Sequence, residues 1–153
     1  MSPTNKPDAL VTDANILIAL CAKEPTAVNV KSTLESYAKT GWEFFAPNVM
    51  VAEVLYVLCQ KLQKNLLTKK SYDEAIENFQ DQMSIIQTLP EAQFIKRAVE
   101  IQNGYGCSRS ADSLYIALAE DLATTRTVEL LTFDSGMLNQ AAKNAPTVTI
   151  IVL

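Results

Sequence analysis

The 153-residue chain contains no histidine, and this absence excludes several kinds of chemistry. Ser-His-Asp catalysis, Cys-His catalysis and histidine-ligated zinc are all excluded. Histidine, the usual general base of metal-free RNA cleavage, is also absent. Three scattered cysteines, Cys21, Cys59 and Cys107, are too few for a four-thiolate zinc site. Any catalysis must therefore come from carboxylates, lysines, hydroxyl groups or a bound hard cation.

The chain also lacks a long apolar run, a secretory signal pattern and an excess of basic residues. No apolar run reaches the roughly 18 to 20 residues that a membrane span needs, and residues 1–8 are not basic and then apolar. The odd number of cysteines, each in or beside an apolar stretch, indicates reduced core or near-core thiols in a cytoplasmic protein. The net charge of −4 is not typical of a generic nucleic-acid binder. A cluster of acids at a metal site would, however, lower the net charge by itself.

Length and composition predict one packed domain over residues 1–153, in which residues 1–8 form a short tail. The chain is 48% hydrophobic and 20% charged, as in ordinary globular proteins. Segments with strand and helix patterns alternate, which predicts an α/β fold with a mainly parallel sheet and helices on both faces. Strands are expected at Ala9–Asp13, Trp42–Phe45, Ser84–Leu89, Val128–Phe133 and Val148–Leu153.

The segment from Val49 to about Lys64 is predicted to be a helix with Asn48 as its N-cap. Its first part is apolar on every side except at Glu53, which predicts a central helix that carries a lone buried carboxylate. The alternative is a glutamate that reaches the surface or forms a salt bridge with a basic side chain.

Two later helices have predicted starts and inward faces. The run Ser71-Tyr72-Asp73-Glu74 has the pattern of a capping box that opens a helix. Pro90 is expected in the first turn of a helix that runs to about Asn103. Its inward residues are predicted to be Phe94, Ile95, Ala98 and Val99. Ser108 or Ser110 is expected to cap the helix that follows.

Four acids fall where strands end or helices begin. Asp13 and Asp134 follow predicted strands, whereas Glu53 and Asp112 lie in the first turn or two of helices. In parallel α/β units helices begin on the side where strands finish, so all four carboxylates can meet at one edge, where such sheets bind ligands.

Carboxylates that meet in this way raise one another's pKa and resist ionising together. A hard divalent cation such as Mg²⁺ or Mn²⁺ resolves the conflict because it takes oxygen ligands. One or two such ions can activate a water molecule and stabilise the attacking and leaving oxygens of a phosphodiester. This chemistry needs no histidine.

Four segments in order carry a family resemblance: Asp13-Ala14-Asn15 after an apolar strand, Glu53 in an apolar helix preceded by Pro47, Ser110-Ala111-Asp112-Ser113-Leu114-Tyr115-Ile116-Ala117-Leu118-Ala119, and Leu131-Thr132-Phe133-Asp134. Together they resemble the PIN-domain nucleases, and in particular the VapC-type toxin ribonucleases of prokaryotic toxin–antitoxin pairs. The resemblance spans about residues 9 to 152. It implies a three-layer α/β/α sandwich with a mainly parallel central sheet.

The resemblance also implies a site, a cofactor and partners. Asp13, Glu53, Asp112 and Asp134 would form the catalytic acidic site and hold Mg²⁺ or Mn²⁺, with Asn15 and Thr132 as polar supports. The substrate would be RNA, the partner an antitoxin protein, and the chain a homodimer. Family members often have a basic residue after the last acid, whereas this chain has Ser135-Gly136-Met137. Substrate contact would then come from elsewhere, for example from Arg109 or the lysines near residue 64.

Three interpretations remain open at this point. The leading one is a metal-dependent endoribonuclease that acts on single-stranded or looped RNA. Transfer of a phosphate monoester through an aspartyl-phosphate would favour a second acid two residues after the nucleophile, where this chain has Asn15. A catalytically silent PIN-like module that binds RNA or protein would be expected to lack one of the acids, and all four are present.

Overall fold

The computed structural model describes residues 5–107 and 111–153, and its centre is one parallel sheet. Within the described residues the strands are β1 (Ala9–Thr12), β2 (Glu43–Pro47), β3 (Ile86–Leu89), β4 (Val128–Thr132) and β5 (Thr149–Val152). Their order in the sheet is β3-β2-β1-β4-β5, and every neighbouring pair is parallel. The predicted α/β class with a mainly parallel sheet is confirmed.

Helices cover both faces of this sheet. They are α1 (Ala14–Cys21), α2 (Ala27–Lys39), α3 (Val49–Gln63), α4 (Lys69–Met83), α5 (Ile95–Gly104), α6 (Asp112–Leu122) and α7 (Ser135–Asn144), with a 3₁₀ turn at Glu91–Gln93. Helix α1 packs on α2, α3 and α4, and helix α5 packs on α6 and α7. Right-handed crossovers put these two groups on opposite faces, because the chain moves across the sheet in opposite directions before and after β3. The result is the expected three-layer sandwich.

Strand β1 lies at the centre of the sheet and is fully buried, with every residue from Ala9 to Thr12 at 0% exposure. A strand covered on both faces can be apolar throughout, which explains the unbroken run at this point of the sequence. The strand order reverses direction between β1 and β4. Open α/β sheets bind ligands at such a reversal, just beyond the carboxyl ends of the strands, and Asp13 and Asp134 follow the two strands concerned.

The prediction that α3 is buried on every side is wrong. Met50, Val54 and Leu58 are fully buried, but Leu55 is 43% and Tyr56 is 64% exposed. The helix packs on α1 and α4 through one face only. Composition could not reveal this, because the residues on the outer face are as apolar as those on the inner one.

Helix α5 differs from its prediction in a similar way. Ile95 and Val99, expected inside, are 57% and 48% exposed, whereas Ile101 is fully buried. The helix begins only at Ile95, after the 3₁₀ turn. Its inward face is the stripe Phe94, Ala98 and Ile101, which are spaced by one helical turn.

Helix caps are supplied partly by residues that local patterns did not indicate. Helix α4 begins three residues earlier than the predicted capping box, since Thr68 is its N-cap and the Thr68 hydroxyl accepts a hydrogen bond from the Ser71 N–H at 3.0 Å. Asn48 occupies the N-cap position of α3 but makes no side-chain capping bond. The Glu91 carboxylate, 42 residues away, accepts from the Val49 N–H instead. Ser108 and Ser110, expected to cap α6, lie outside the described residues.

The cysteines are not all in the core. Cys21 is buried, as expected, but Cys59 and Cys107 are exposed. Cys59 is exposed because it lies on the outer face of α3. Within the described residues no helix is both long enough and apolar enough to cross a membrane.

Because Glu91 caps α3, Glu91→Ala should lower the free energy of unfolding by about 1 kcal/mol, the usual effect of removing a side-chain cap. Glu91→Gln keeps an acceptor oxygen and should lose less. Asn48→Ala is the matched control and should change stability little, since Asn48 makes no capping bond. Urea unfolding measures all three variants, and a larger loss for Asn48→Ala than for Glu91→Ala would contradict this assignment.

Candidate acidic site

Asp13 lies at the junction of β1, β4 and α1. Its N–H donates to the Leu131 carbonyl at 3.0 Å, which continues the β1–β4 pairing by one residue. Asp13 is the N-cap residue of α1, but its side chain makes no capping hydrogen bond. Instead, Oδ2 accepts a hydrogen bond from the Thr132 hydroxyl at 2.7 Å. The residue is only 7% exposed, so this carboxylate is buried at the carboxyl end of the central strand.

The surroundings of Asp13 disfavour its charged form. Burial raises the pKa of Asp13 from 3.8 to about 7, and the negative charges of Asp112 and Glu53 act in the same direction. The hydrogen bond from Thr132 opposes this increase in pKa. Three of the four acids named from the sequence are therefore close enough for their charges to interact.

Glu53 is half-buried on α3 and is held by a tyrosine from α6. The Tyr115 hydroxyl donates to Glu53 Oε1 at 2.7 Å. Burial raises the pKa of Glu53, the hydrogen bond from Tyr115 lowers it, and the charge of Asp112 raises it. Contact between α3 and α6 at this point joins elements from opposite layers of the sandwich.

Tyr115 is the residue of this site that sequence reasoning missed. It lies three residues after Asp112 on α6 and is 1% exposed. The signal was in the residue type, because a buried tyrosine hydroxyl almost always has a hydrogen-bond partner.

Asp112 and Asp134 occupy different positions around Asp13. Asp112 is partly buried in the first turn of α6, where the helix N-terminus favours negative charge. Asp134 is exposed and caps α7, with Oδ1 accepting from the Gly136 N–H at 2.7 Å. Thr132 connects Asp134 to Asp13, because its hydroxyl accepts from the Asp134 N–H at 3.0 Å while donating to Asp13. The structure thus gathers Asp13, Glu53 and Asp112, and it places Asp134 at the rim.

The two polar residues named as supports differ in their contacts. Thr132 is fully buried and makes the two hydrogen bonds just described. Asn15 lies in the first turn of α1, where its buried carbonyl oxygen Oδ1 has no hydrogen-bond partner among the described residues. An unsatisfied buried acceptor of this kind is costly. It is also an oxygen that a hard cation could use.

The donor chemistry fits Mg²⁺ or Mn²⁺, but the side chains do not form a closed cage. In residues 5–107 and 111–153 no group of three or more His, Cys, Asp or Glu side chains is arranged to hold a metal ion. Mg²⁺ usually keeps several waters and needs only one or two carboxylates, so an open acidic edge suits it. Among the described residues no lysine or arginine forms an ion pair with Asp13 or Glu53.

The basic residues considered for substrate contact lie elsewhere. Lys64 is the C-cap of α3, which puts it about 16 Å from Glu53 along the helix axis. Lys61 pairs with Glu24 at 2.8 Å, and Lys69 pairs with Asp73. These lysines are therefore at the opposite end of α3 from the acids. Arg109 lies outside the described residues.

The raised pKa of Asp13 predicts a pH-dependent stability in the absence of metal. The folded state binds this proton more tightly than the unfolded chain between pH 3.8 and about 7, so the free energy of unfolding should fall as the pH rises through this window. Asp13→Asn keeps an acceptor for Thr132 and removes the charge. Relative to the parent, the variant should gain about 2 to 4 kcal/mol between about pH 4 and about pH 8, since a tenfold change in proton affinity is worth about 1.4 kcal/mol.

Urea unfolding in the presence of a chelator measures this difference. Asp121→Asn is the matched control, because Asp121 is an exposed acid near the other end of α6. An Asp13→Asn protein that loses stability relative to the parent as the pH rises would show that the carboxylate has a stabilising partner.

Comparisons with known proteins agree with the architecture. The PIN domain family matches residues 10–144. A search of curated proteins found no match to the chain. Among solved structures, VapBC2 from Rickettsia felis, bound to a DNA fragment from its promoter, has a similar chain with a TM-score of 0.66 and 13% identity, covering 94% of this chain and 98% of that one. PAE2754 from Pyrobaculum aerophilum has a TM-score of 0.52 and 17% identity, covering 97% of this chain and 92% of that one.

The identities to the two solved structures are low, so these likenesses concern the fold. The family match covers most of the chain, from the second residue of β1 to the last residue of α7. It includes all four acids and both polar supports. The chain therefore belongs to the PIN domain family.

Proposed function

We propose that this chain is a metal-dependent endoribonuclease that hydrolyses phosphodiester bonds in single-stranded or looped RNA. The observation that carries the proposal is the buried Asp13 carboxylate, whose pKa is raised to about 7 by burial and by the charges of Asp112 and Glu53. Repelling carboxylates at the carboxyl edge of a sheet are costly to the folded protein, and a bound cation would remove that cost. PIN domains are generally nucleases, and they typically use divalent metals.

In this proposal Asp13, Glu53 and Asp112 hold Mg²⁺ or Mn²⁺, directly or through water. Asp134, which is exposed at the rim, contributes through water, and the unpaired Asn15 oxygen is a further donor. When bound, such an ion lowers the pKa of a water molecule and offsets charge on the phosphate. Thr132 keeps the Asp13 carboxylate in one orientation through its hydrogen bond. The absence of histidine is consistent with this chemistry.

We further propose that the protein is the toxin of a toxin–antitoxin pair that acts in the cytoplasm. The support is the similarity of the fold, over nearly the whole chain, to that of a chain in the VapBC2 structure. An antitoxin protein would then be a natural partner. A small neighbouring gene that encodes a DNA-binding protein would favour this role.

A homodimer is also part of the proposal. Large apolar side chains are exposed at Leu55 and Tyr56 of α3 and, on the other face of the sheet, at Ile95 and Val99 of α5. Exposed apolar patches often mark protein interfaces. Sedimentation equilibrium should give twice the chain mass for the parent, and Tyr56→Glu should shift the protein towards the monomer. A monomeric parent at all concentrations would contradict this part of the proposal.

The purified protein should cleave RNA internally with Mg²⁺ or Mn²⁺ and should stop when a chelator is added. Asp13→Ala, Glu53→Ala and Asp112→Ala should each remove most of the activity, on the order of 100-fold, since loss of one ligand misplaces the ion for the others. Asp134→Asn keeps an acceptor for the Gly136 N–H and should have a smaller effect. Cleavage of a labelled RNA, followed over time on a gel, measures these rates.

The decisive control is Asp112→Ala protein prepared in the same way as the parent. If this variant cleaves RNA as fast as the parent, the activity belongs to a contaminant or to another site. If the parent binds RNA without cutting it at any metal concentration, the chain is a binding module of the PIN fold.

A further inference from the structure

The tyrosine of the acidic site has a hydroxyl group that packing alone does not require. Tyr115 is 1% exposed, and it lies beside buried apolar neighbours on α6, including Ile116 and Leu118. A phenylalanine would fill almost the same volume without a polar group to satisfy. In the folded protein the hydroxyl donates to Glu53 Oε1 at 2.7 Å.

This hydroxyl lies between several polar groups of the site. The negative charges of Glu53 and Asp13 both raise the pKa of Tyr115, after the larger effect of burial, and the Ala14 N–H lowers it. The same Ala14 N–H lowers the pKa of Asp13. Tyr115 is therefore close to α3, to the end of β1 and to the start of α1 at once.

We propose that Tyr115 is a positioning residue of the metal site, whose hydroxyl fixes the place at which α3 presents the Glu53 carboxylate to an ion held by Asp13. This inference rests on the proposed metal site and adds to it a residue outside the acidic set. Glutamate has three rotatable side-chain bonds, and Glu53 is only half-buried. With Oε1 held by a buried donor, Oε2 can serve an ion with little further loss of side-chain entropy.

The chain offers a matched comparison for this contact. The Tyr37 hydroxyl also donates to a glutamate, Glu129. Glu129 lies near the amino end of β4, three residues before Thr132, whereas the acidic site is at the carboxyl ends of the strands. A Tyr→Phe change at each position removes the same kind of hydrogen bond, but only one of the two is at the acidic site.

Mn²⁺ titration, followed by electron paramagnetic resonance of the free ion, tests the inference without relying on RNA cleavage. Tyr115→Phe should weaken Mn²⁺ binding about tenfold, the lower end of the effect of losing a group that orients a metal ligand. Tyr37→Phe should bind Mn²⁺ as the parent does. Thermal unfolding of the metal-free variants separates loss of stability from loss of binding, since both changes remove a hydroxyl hydrogen bond.

A double-mutant cycle then identifies the route of the effect. If Tyr115 acts through Glu53, Tyr115→Phe should weaken Mn²⁺ binding no further in a Glu53→Ala background, which leaves no side-chain oxygen for the tyrosine to hold, whereas independent effects would multiply. Weakening of the same size in both backgrounds would overturn the inference, as would parent-like Mn²⁺ affinity in the folded Tyr115→Phe protein. A parent that binds no Mn²⁺ would overturn the metal site and the inference together. A parent that binds Mn²⁺ but cleaves no RNA would overturn only the nuclease proposal.

Discussion

One buried carboxylate, at the end of the central strand, constrains the arrangement of the residues around it. Asp13 continues β1 into α1, and its backbone N–H extends the pairing with β4. Moving its side chain to solvent would therefore disturb the strand pair and the helix start together. The hydrogen bond from Thr132 offsets only part of the effect of burial on this carboxylate. The pKa of Asp13 is therefore raised to about 7. In the proposed function, a cation bound beside Asp13 would stabilise the charged form of this carboxylate.

The other acidic residues reach Asp13 through the geometry of parallel sheets. Strands end and helices begin on the same side, and the strand order reverses between β1 and β4, which is where open α/β sheets bind ligands. Glu53 comes from the first turns of α3 and Asp112 from the first turn of α6, which belong to opposite layers. Thr132 serves two residues with one hydroxyl, because it donates to Asp13 and accepts from the Asp134 backbone. The site is thus held by elements that also carry the core.

A tyrosine hydroxyl donates to a glutamate at two places, one near the amino ends of the strands and one at their carboxyl ends. Tyr37 and Glu129 lie near the amino ends of the strands, where Tyr37 also packs edge-to-face on Trp42, with 4.9 Å between ring centroids. Tyr115 and Glu53 lie at the carboxyl ends, where the negative charges of Asp13 and Asp112 act on them. The contact chemistry is alike, and only the position relative to Asp13 makes one pair a candidate part of a site.

Sequence alone determined the alternation of strands and helices and the end of each strand within a few residues, because periodicity and turn residues are local signals. It also indicated that Asp13, Glu53, Asp112 and Asp134 could share one edge, since element order sets the edge at which parallel strands finish. Tertiary structure alone decided which face of α3 is buried, that Glu91 caps that helix, and that Tyr115 holds Glu53. Each of these contacts joins residues 40 or more positions apart or selects between two equally apolar faces. Such choices depend on packing between elements, which no local pattern encodes.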